Sequence, residues 1–97
     1  MSSIRQLRVA KEIFKILSEA LVTDDLLMDC FIDLSLVDVY FLQDSKTVKI
    51  TWQNLNKNQE IKLGVLEKFT PYIRKIIANR LNLKRTPNII FSIINGK

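Results

Sequence analysis

Arg74, Lys75, Ala78, Asn79 and Asn82 gather on one side of a helix drawn at about 100° per residue, and no acid interrupts them. Lys84 and Arg85 follow directly, and Lys68 stands just before. Guanidinium, ammonium and carboxamide groups on one face suit phosphate and sugar oxygens, so this cluster points to recognition of a polyanion such as a nucleic acid. The other side of the same segment holds Ile73, Ile76, Ile77 and Leu81, with Tyr72 and Leu83 at its margin. A helix face that is only solvated usually mixes signs. Arg80 falls near the apolar edge, where its stem can pack. It fits RNA contact as well as it fits pairing with an acid such as Asp33 or Asp38. A helix opening at Pro71 also leaves free backbone N–H groups, a natural anion site.

Other chemistry is narrowly bounded. The chain has no His and one Cys, which removes imidazole acid–base catalysis, a Cys–His pair and a structural zinc site. Gly64 and Gly96 stand alone, so there is no glycine-rich phosphate loop. Asp24, Asp25 and Asp29 lie near a helix end with no further ligand pattern and read as a turn. Cys30 reads as a small buried hydrophobe inside an apolar strand. Trp52, Tyr40 and Phe41 are the residues for an RNA-stacking platform, but Trp52 shares a face with Val48 and Ile50, which favours core packing. The expectation is a binding protein with no enzymatic activity, no metal, no cofactor and no small-molecule substrate.

The elements that must position the cluster follow from 97 residues, 47% of them apolar, with two Gly and two Pro. That is the size of one domain, residues 1–97, able to bury a core. No apolar run reaches the roughly 20 residues of a bilayer span. The opening residues lead into an amphipathic stretch rather than a signal peptide. A cytoplasmic, reducing setting, away from membranes, is expected.

Ser3 and Gln6 form a capping-box pattern, and Ile4, Leu7, Ala10, Ile13, Phe14, Leu17 and Leu21 continue at helical spacing, so residues 3–21 read as a helix. Its wet side mixes signs through Arg8–Glu12 and Lys15–Glu19 pairs. Residues 30–42 read as a strand, residues 43–46 as a turn, and Thr47 to Gln53 alternates as a half-buried strand. A helical pattern resumes near Gln59 and meets Thr70-Pro71. Proline breaks it there, with Thr70 as N-cap and a new helix from Pro71 to about Leu83. Residues 88–94 form a last, buried strand. The order is α-β-β-α-kink-α-β, which predicts a two-layer α+β domain with helices on one face of a three-stranded sheet.

Charge divides the chain. Residues 1–44 carry four basic and eight acidic groups, net −4, and residues 45–97 carry eleven and two, net +9. A basic half suggests a polyanionic partner. The binding surface is placed on the basic half with the acidic half turned away. Arg5 and Lys11, surrounded by acids, are expected to matter less.

The run Arg80-Leu81-Asn82-Leu83-Lys84, followed by Pro87 and by Phe91 in a strand, resembles the ribosome-binding factor A family of bacterial small-subunit assembly factors. Arg5-Gln6-Leu7-Arg8-Val9-Ala10-Lys11-Glu12-Ile13 is similar to that family's Arg-rich opening with a central Glu. The resemblance covers nearly the whole chain. It implies a KH-like (type II) fold and binding to the 16S rRNA of immature small ribosomal subunits, without catalysis; a monomer is expected. Phe69, Thr70 and Pro71 then stand where members often carry an Ala-x-Gly step, and proline supplies the kink. The expected RNA-binding residues are Lys68, Arg74, Lys75, Asn79, Arg80, Asn82, Lys84 and Arg85. Two rival readings are a helix-turn-helix DNA-binding module built on the two helices around residue 70, and a protein-interaction module whose acidic half docks a basic ribosomal protein.

Overall fold

The computed structural model describes residues 4–95. The helix at the start, α1 (Ile4–Thr23), runs two residues beyond its predicted end, and Ser3 of the expected capping box lies outside the described residues. Its buried positions are Ala10, Ile13, Ile16, Leu17 and Ala20, the stripe that a period of about 3.6 requires.

The next segment corrects the sequence reading. Residues 25–30 form a short helix, α2 (Asp25–Cys30), where a turn and the beginning of a strand were expected. Asp24 leaves helical geometry, with φ −94° and ψ 117°, and its Oδ1 accepts from the Leu27 N–H at 3.1 Å. That carboxylate satisfies a donor the new helix would otherwise leave open. Leu27 is the buried residue of α2, whereas Cys30 is exposed at the helix end and is no core hydrophobe.

Strand β1 (Leu34–Phe41) pairs antiparallel with β2 (Thr47–Asn54). The register shifts between Leu36 and Asp38, which bulges the strand at Val37. In the turn between them, Asp44 accepts from the backbone N–H groups of Lys46 and Thr47 and from the Thr47 hydroxyl. These bonds, Lys46 first, hold its carboxyl below the usual range. Ser45 takes φ +62° at the tip.

Strand β3 (Asn88–Ile94) joins β2 in parallel, giving sheet order β1-β2-β3. Parallel neighbours need a long crossover. Here it contains α3 (Leu63–Glu67) and α4 (Thr70–Arg80), both packed against β3, while α1 packs against β1 and α4. The strict alternation of β2 sends Val48, Ile50 and Trp52 into the core and Thr47, Lys49, Thr51 and Gln53 to the other face. On that face the hydroxyls of Thr51 and Ser92 lie 2.9 Å apart across the parallel strands.

Trp52 is wholly buried, as the strand pattern predicted, and cannot serve as a stacking platform. Its ring meets Phe31 at 4.9 Å and Phe91 at 6.4 Å between centroids, and Phe31 meets Phe69 edge-on at 5.2 Å. The indole Nε1 has no hydrogen-bond partner among the described residues.

The helical stretch breaks where expected. Pro71 has no N–H to offer the Glu67 carbonyl, so α3 stops and α4 begins after Lys68 and Phe69. Two details differ. Phe69, not Thr70, is the N-cap, with φ −90°, ψ 0° and no side-chain cap bond; its ring is anchored in the aromatic core instead. The flanking helices are also shorter than predicted: α3 begins at Leu63, and α4 ends at Arg80 rather than Leu83.

Candidate nucleic-acid interface

The sheet has two ends, and each collects polar residues. At the end where β2 finishes, Asn54 is buried. Its Nδ2 donates to the Gln59 carbonyl at 2.7 Å and to Asn95 Oδ1 at 2.9 Å, and its Oδ1 accepts from the Asn56 N–H at 2.8 Å. Asn95 in turn accepts from the Ile61 N–H and donates to the Ile61 carbonyl. The crossover's first loop is thereby tied to the end of β3 by side-chain amides that satisfy one another.

The opposite end, where β2 and β3 begin, is built differently. The Asn88 N–H donates to the Lys46 carbonyl at 2.9 Å and brings the hairpin turn beside the α4–β3 loop. Around this junction runs a groove of about 790 Å³. Five cations line it: Arg5 at the start of α1, Lys46 in the turn, Arg74 on α4, and Lys84 and Arg85 in the loop. No acid lines it among the described residues. Its apolar wall comes from Val9, Phe41, Leu83 and Pro87. Like charges brought together raise the free energy of the empty protein and lower that of a bound polyanion.

The predicted residues therefore divide. Arg74, Lys84 and Arg85 meet in the groove. Lys75 and Asn79 are exposed on the outer face of α4, Asn82 is exposed just after it and Lys68 is exposed at the α3–α4 break, but none of these lines the groove. Arg74 is exposed as predicted, yet its guanidinium is not free. It donates to the Thr86 carbonyl at 3.1 Å and, more weakly, to the Pro87 carbonyl at 3.4 Å, bracing the loop that carries Lys84 and Arg85. Arg80 pairs with Glu19 of α1 rather than with Asp33 or Asp38, because α4 packs alongside α1 and not over the hairpin. Arg5, which the sequence reading ranked below the basic run, and Lys46, which it left unassigned, also line the groove. Both are isolated in sequence from the basic run, and only the fold brings them to it.

A scan against family models matches residues 5–93 to "Ribosome-binding factor A". The chain belongs to the ribosome-binding factor A family. Among solved structures it is similar to ribosome-binding factor A from Thermus thermophilus, with a TM-score of 0.71 at 16% identity, covering 91% of this chain and 94% of that one. It is also similar to a Thermotoga maritima protein provisionally assigned as a ribosome binding factor A, with a TM-score of 0.69 at 23% identity, covering 95% and 89%. At such identities the structural likeness speaks for the fold, which is the KH-like α+β arrangement. No significant match to a curated protein was found. Membership carries the general role of a ribosome-binding factor in ribosome biogenesis.

Within this ribosome-binding factor A fold, no acid lines the cationic groove among the described residues, but the acidic half does touch α4 elsewhere, through Tyr72 and Arg80. Tyr72, near the start of α4, donates its hydroxyl to Asp24 Oδ2 at 2.7 Å. This bond, with the Leu27 N–H behind it, holds the Asp24 carboxyl below its ordinary value. The same bond, with desolvation and the charges of Asp24 and Asp25, raises the Tyr72 hydroxyl. The start of α4 is thus flanked by carboxylates, which opposes the anion site suggested by its free N–H groups. Among the described residues no group of His, Cys, Asp or Glu side chains has the makings of a metal site, and Asp24 acts as a helix cap. No helix is long and apolar enough to cross a membrane among the described residues.

Proposed function

We propose that this protein binds the 16S rRNA of the small ribosomal subunit during its maturation, as a cytoplasmic, single-domain monomer that performs no catalysis. The docking surface is the cationic end of the sheet, with Arg5, Lys46, Lys84 and Arg85 facing phosphates and Arg74 holding the loop in place. Lys68, Lys75, Asn79 and Asn82 extend the surface along α4 and its flanks. Arg80 is assigned to the α1–α4 contact instead. The observation that carries this reading is the convergence of five cations from four chain segments on a groove that no acid lines, in a member of a ribosome-binding family.

A basic protein partner would meet acids already partly engaged within the fold. Five of the eight in residues 1–44 already accept internal hydrogen bonds: Glu19, Asp24, Asp33, Asp38 and Asp44. A helix-turn-helix is disfavoured because α3 has five residues and packs on β3.

Sedimentation of the tagged protein in a bacterial lysate tests the proposal. The native chain should travel with immature small subunits at low salt and leave them steeply as salt rises, as counterion release requires. Co-migration that survives in a Lys84→Glu/Arg85→Glu variant would overturn the placement of the surface. Absence from small-subunit particles under all conditions would overturn the function.

A further inference from the structure

The groove has a property that phosphate binding does not need. Phosphates along an RNA duplex are met by a flat or convex cationic face. Here the cations surround a concavity whose wall is apolar and partly open to solvent: Val9 from α1, Phe41 from the end of β1, and Leu83 and Pro87 from the α4–β3 loop. Its volume of about 790 Å³ is ample for a purine or pyrimidine with its ribose. Asn88 also lines it, exposed and with no side-chain bond among the described residues, so a carboxamide is available to a base edge.

We propose that this groove seats an unpaired nucleotide of RNA, with its base against Val9, Phe41, Leu83 and Pro87 and its flanking phosphates on Arg5, Lys46, Lys84 and Arg85. The inference rests on the RNA-binding reading above and narrows it from RNA in general to a single-stranded segment. Charge complementarity argues for a polyanionic occupant, and within a polyanion of RNA the group that can cover the apolar wall is a base. A paired base cannot reach this wall, because its faces are covered by its neighbours in the stack. The groove excludes Lys68 and residues 69–71, so it is separate from the α3–α4 break.

The test compares two RNA probes with the full chain: a fully paired duplex, and the same duplex carrying a three-nucleotide single-stranded overhang. The native protein should bind the overhang probe at least tenfold more tightly. Leu83→Gln, which keeps every charge, should lose that preference while still binding the duplex. Lys84→Gln/Arg85→Gln should weaken binding to both probes. Should Leu83→Gln fail to fold, titrating the native protein with a uridine trinucleotide and following backbone amide resonances gives the same answer. Val9, Phe41, Leu83 and Asn88 should shift more than the outer face of α4. Equal, salt-sensitive binding of both probes would overturn the nucleotide seat and leave RNA binding standing. Failure to bind either probe, with retained binding to a ribosomal protein, would overturn both.

Discussion

The two ends of one small sheet treat polar groups in opposite ways. At the end of β2, Asn54, Asn56 and Asn95 use their donors and acceptors on each other and on the loop, and the amide of Asn54 is buried. At the start of β2 and β3, Arg5, Lys46, Lys84 and Arg85 crowd together with no acid lining the groove between them. Both ends join loops to the same three strands. The difference separates two kinds of polarity: at one end buried amides supply one another's partners and hold the fold, while at the other cations converge on a groove that no acid lines among the described residues.

That contrast is exposed to mutation. The largest effect is expected at the cationic end. Lys84→Glu/Arg85→Glu should lower affinity for small-subunit particles by about 1.5–3 kcal/mol for each charge-assisted hydrogen bond removed, with circular dichroism and the melting temperature unchanged. Arg5→Glu belongs with this pair, because Arg5 lines the groove, while Lys11→Glu should have little effect. Equal losses from Arg5→Glu and Lys11→Glu would mean that the groove is not the docking surface.

At the other end the effect moves from binding to folding. Asn54→Ala leaves the Gln59 carbonyl and the Asn56 N–H without their partners, and should cost roughly 1–3 kcal/mol of stability, read by urea unfolding. Affinity measured where the variant is still folded should match the native protein. A variant that kept its stability but lost affinity would reverse the assignment of the two ends.

A smaller effect is expected from the bond between Tyr72 and Asp24, which belongs to neither end. Asp24 ionises at lower pH when folded, so its contribution is present above about pH 4 and fades as pH falls through the folded value. The Tyr72 hydroxyl ionises at higher pH when folded, so its contribution is present below about pH 10 and fades as pH rises through the folded value. Tyr72→Phe should flatten both limbs of the stability–pH profile. Denaturant midpoints from acid to alkaline pH, compared between the two proteins, check this. Identical limbs would show that the bond is not maintained in solution.

The smallest change is expected at the Glu19–Arg80 pair. Both side chains are about half exposed, at 45% and 49%. Arg80→Ala should therefore cost less than about 1 kcal/mol and leave small-subunit affinity near native. A binding loss as large as that of the Lys84 and Arg85 variant would restore Arg80 to the RNA surface.

How much of this could be read from the chain depends on the range of each interaction. The alternation of β2 and the stripe of α1 are local periodicities, and both were legible. The break before α4 was legible because proline removes one particular hydrogen bond. The short helix α2 was not: six residues are too few for a period to declare itself, and Phe31 and Ile32 after it resemble a strand. Its one signal was the capping residue Asp24. At the candidate site, Arg74, Lys84 and Arg85 belong to a visible basic run. Arg5 and Lys46 join them only because α1 starts, and the hairpin turns, at the end of the sheet where β3 begins. The pairing of Arg80 with Glu19 depends on how two helices lie against each other, which no local pattern encodes.

Trp52 is the chain's single tryptophan, sealed from water between Phe31 and Phe91, with an indole N–H that has no partner among the described residues. Such an indole emits at the blue end of its range, and its emission moves to the red when the core opens. The groove contains none of the rings that touch it. The molecule therefore carries its own optical gauge of folding, one that a ligand filling the cationic end should leave silent. An emission shift on titration with RNA would then be light from a rearranged interior rather than from a filled surface.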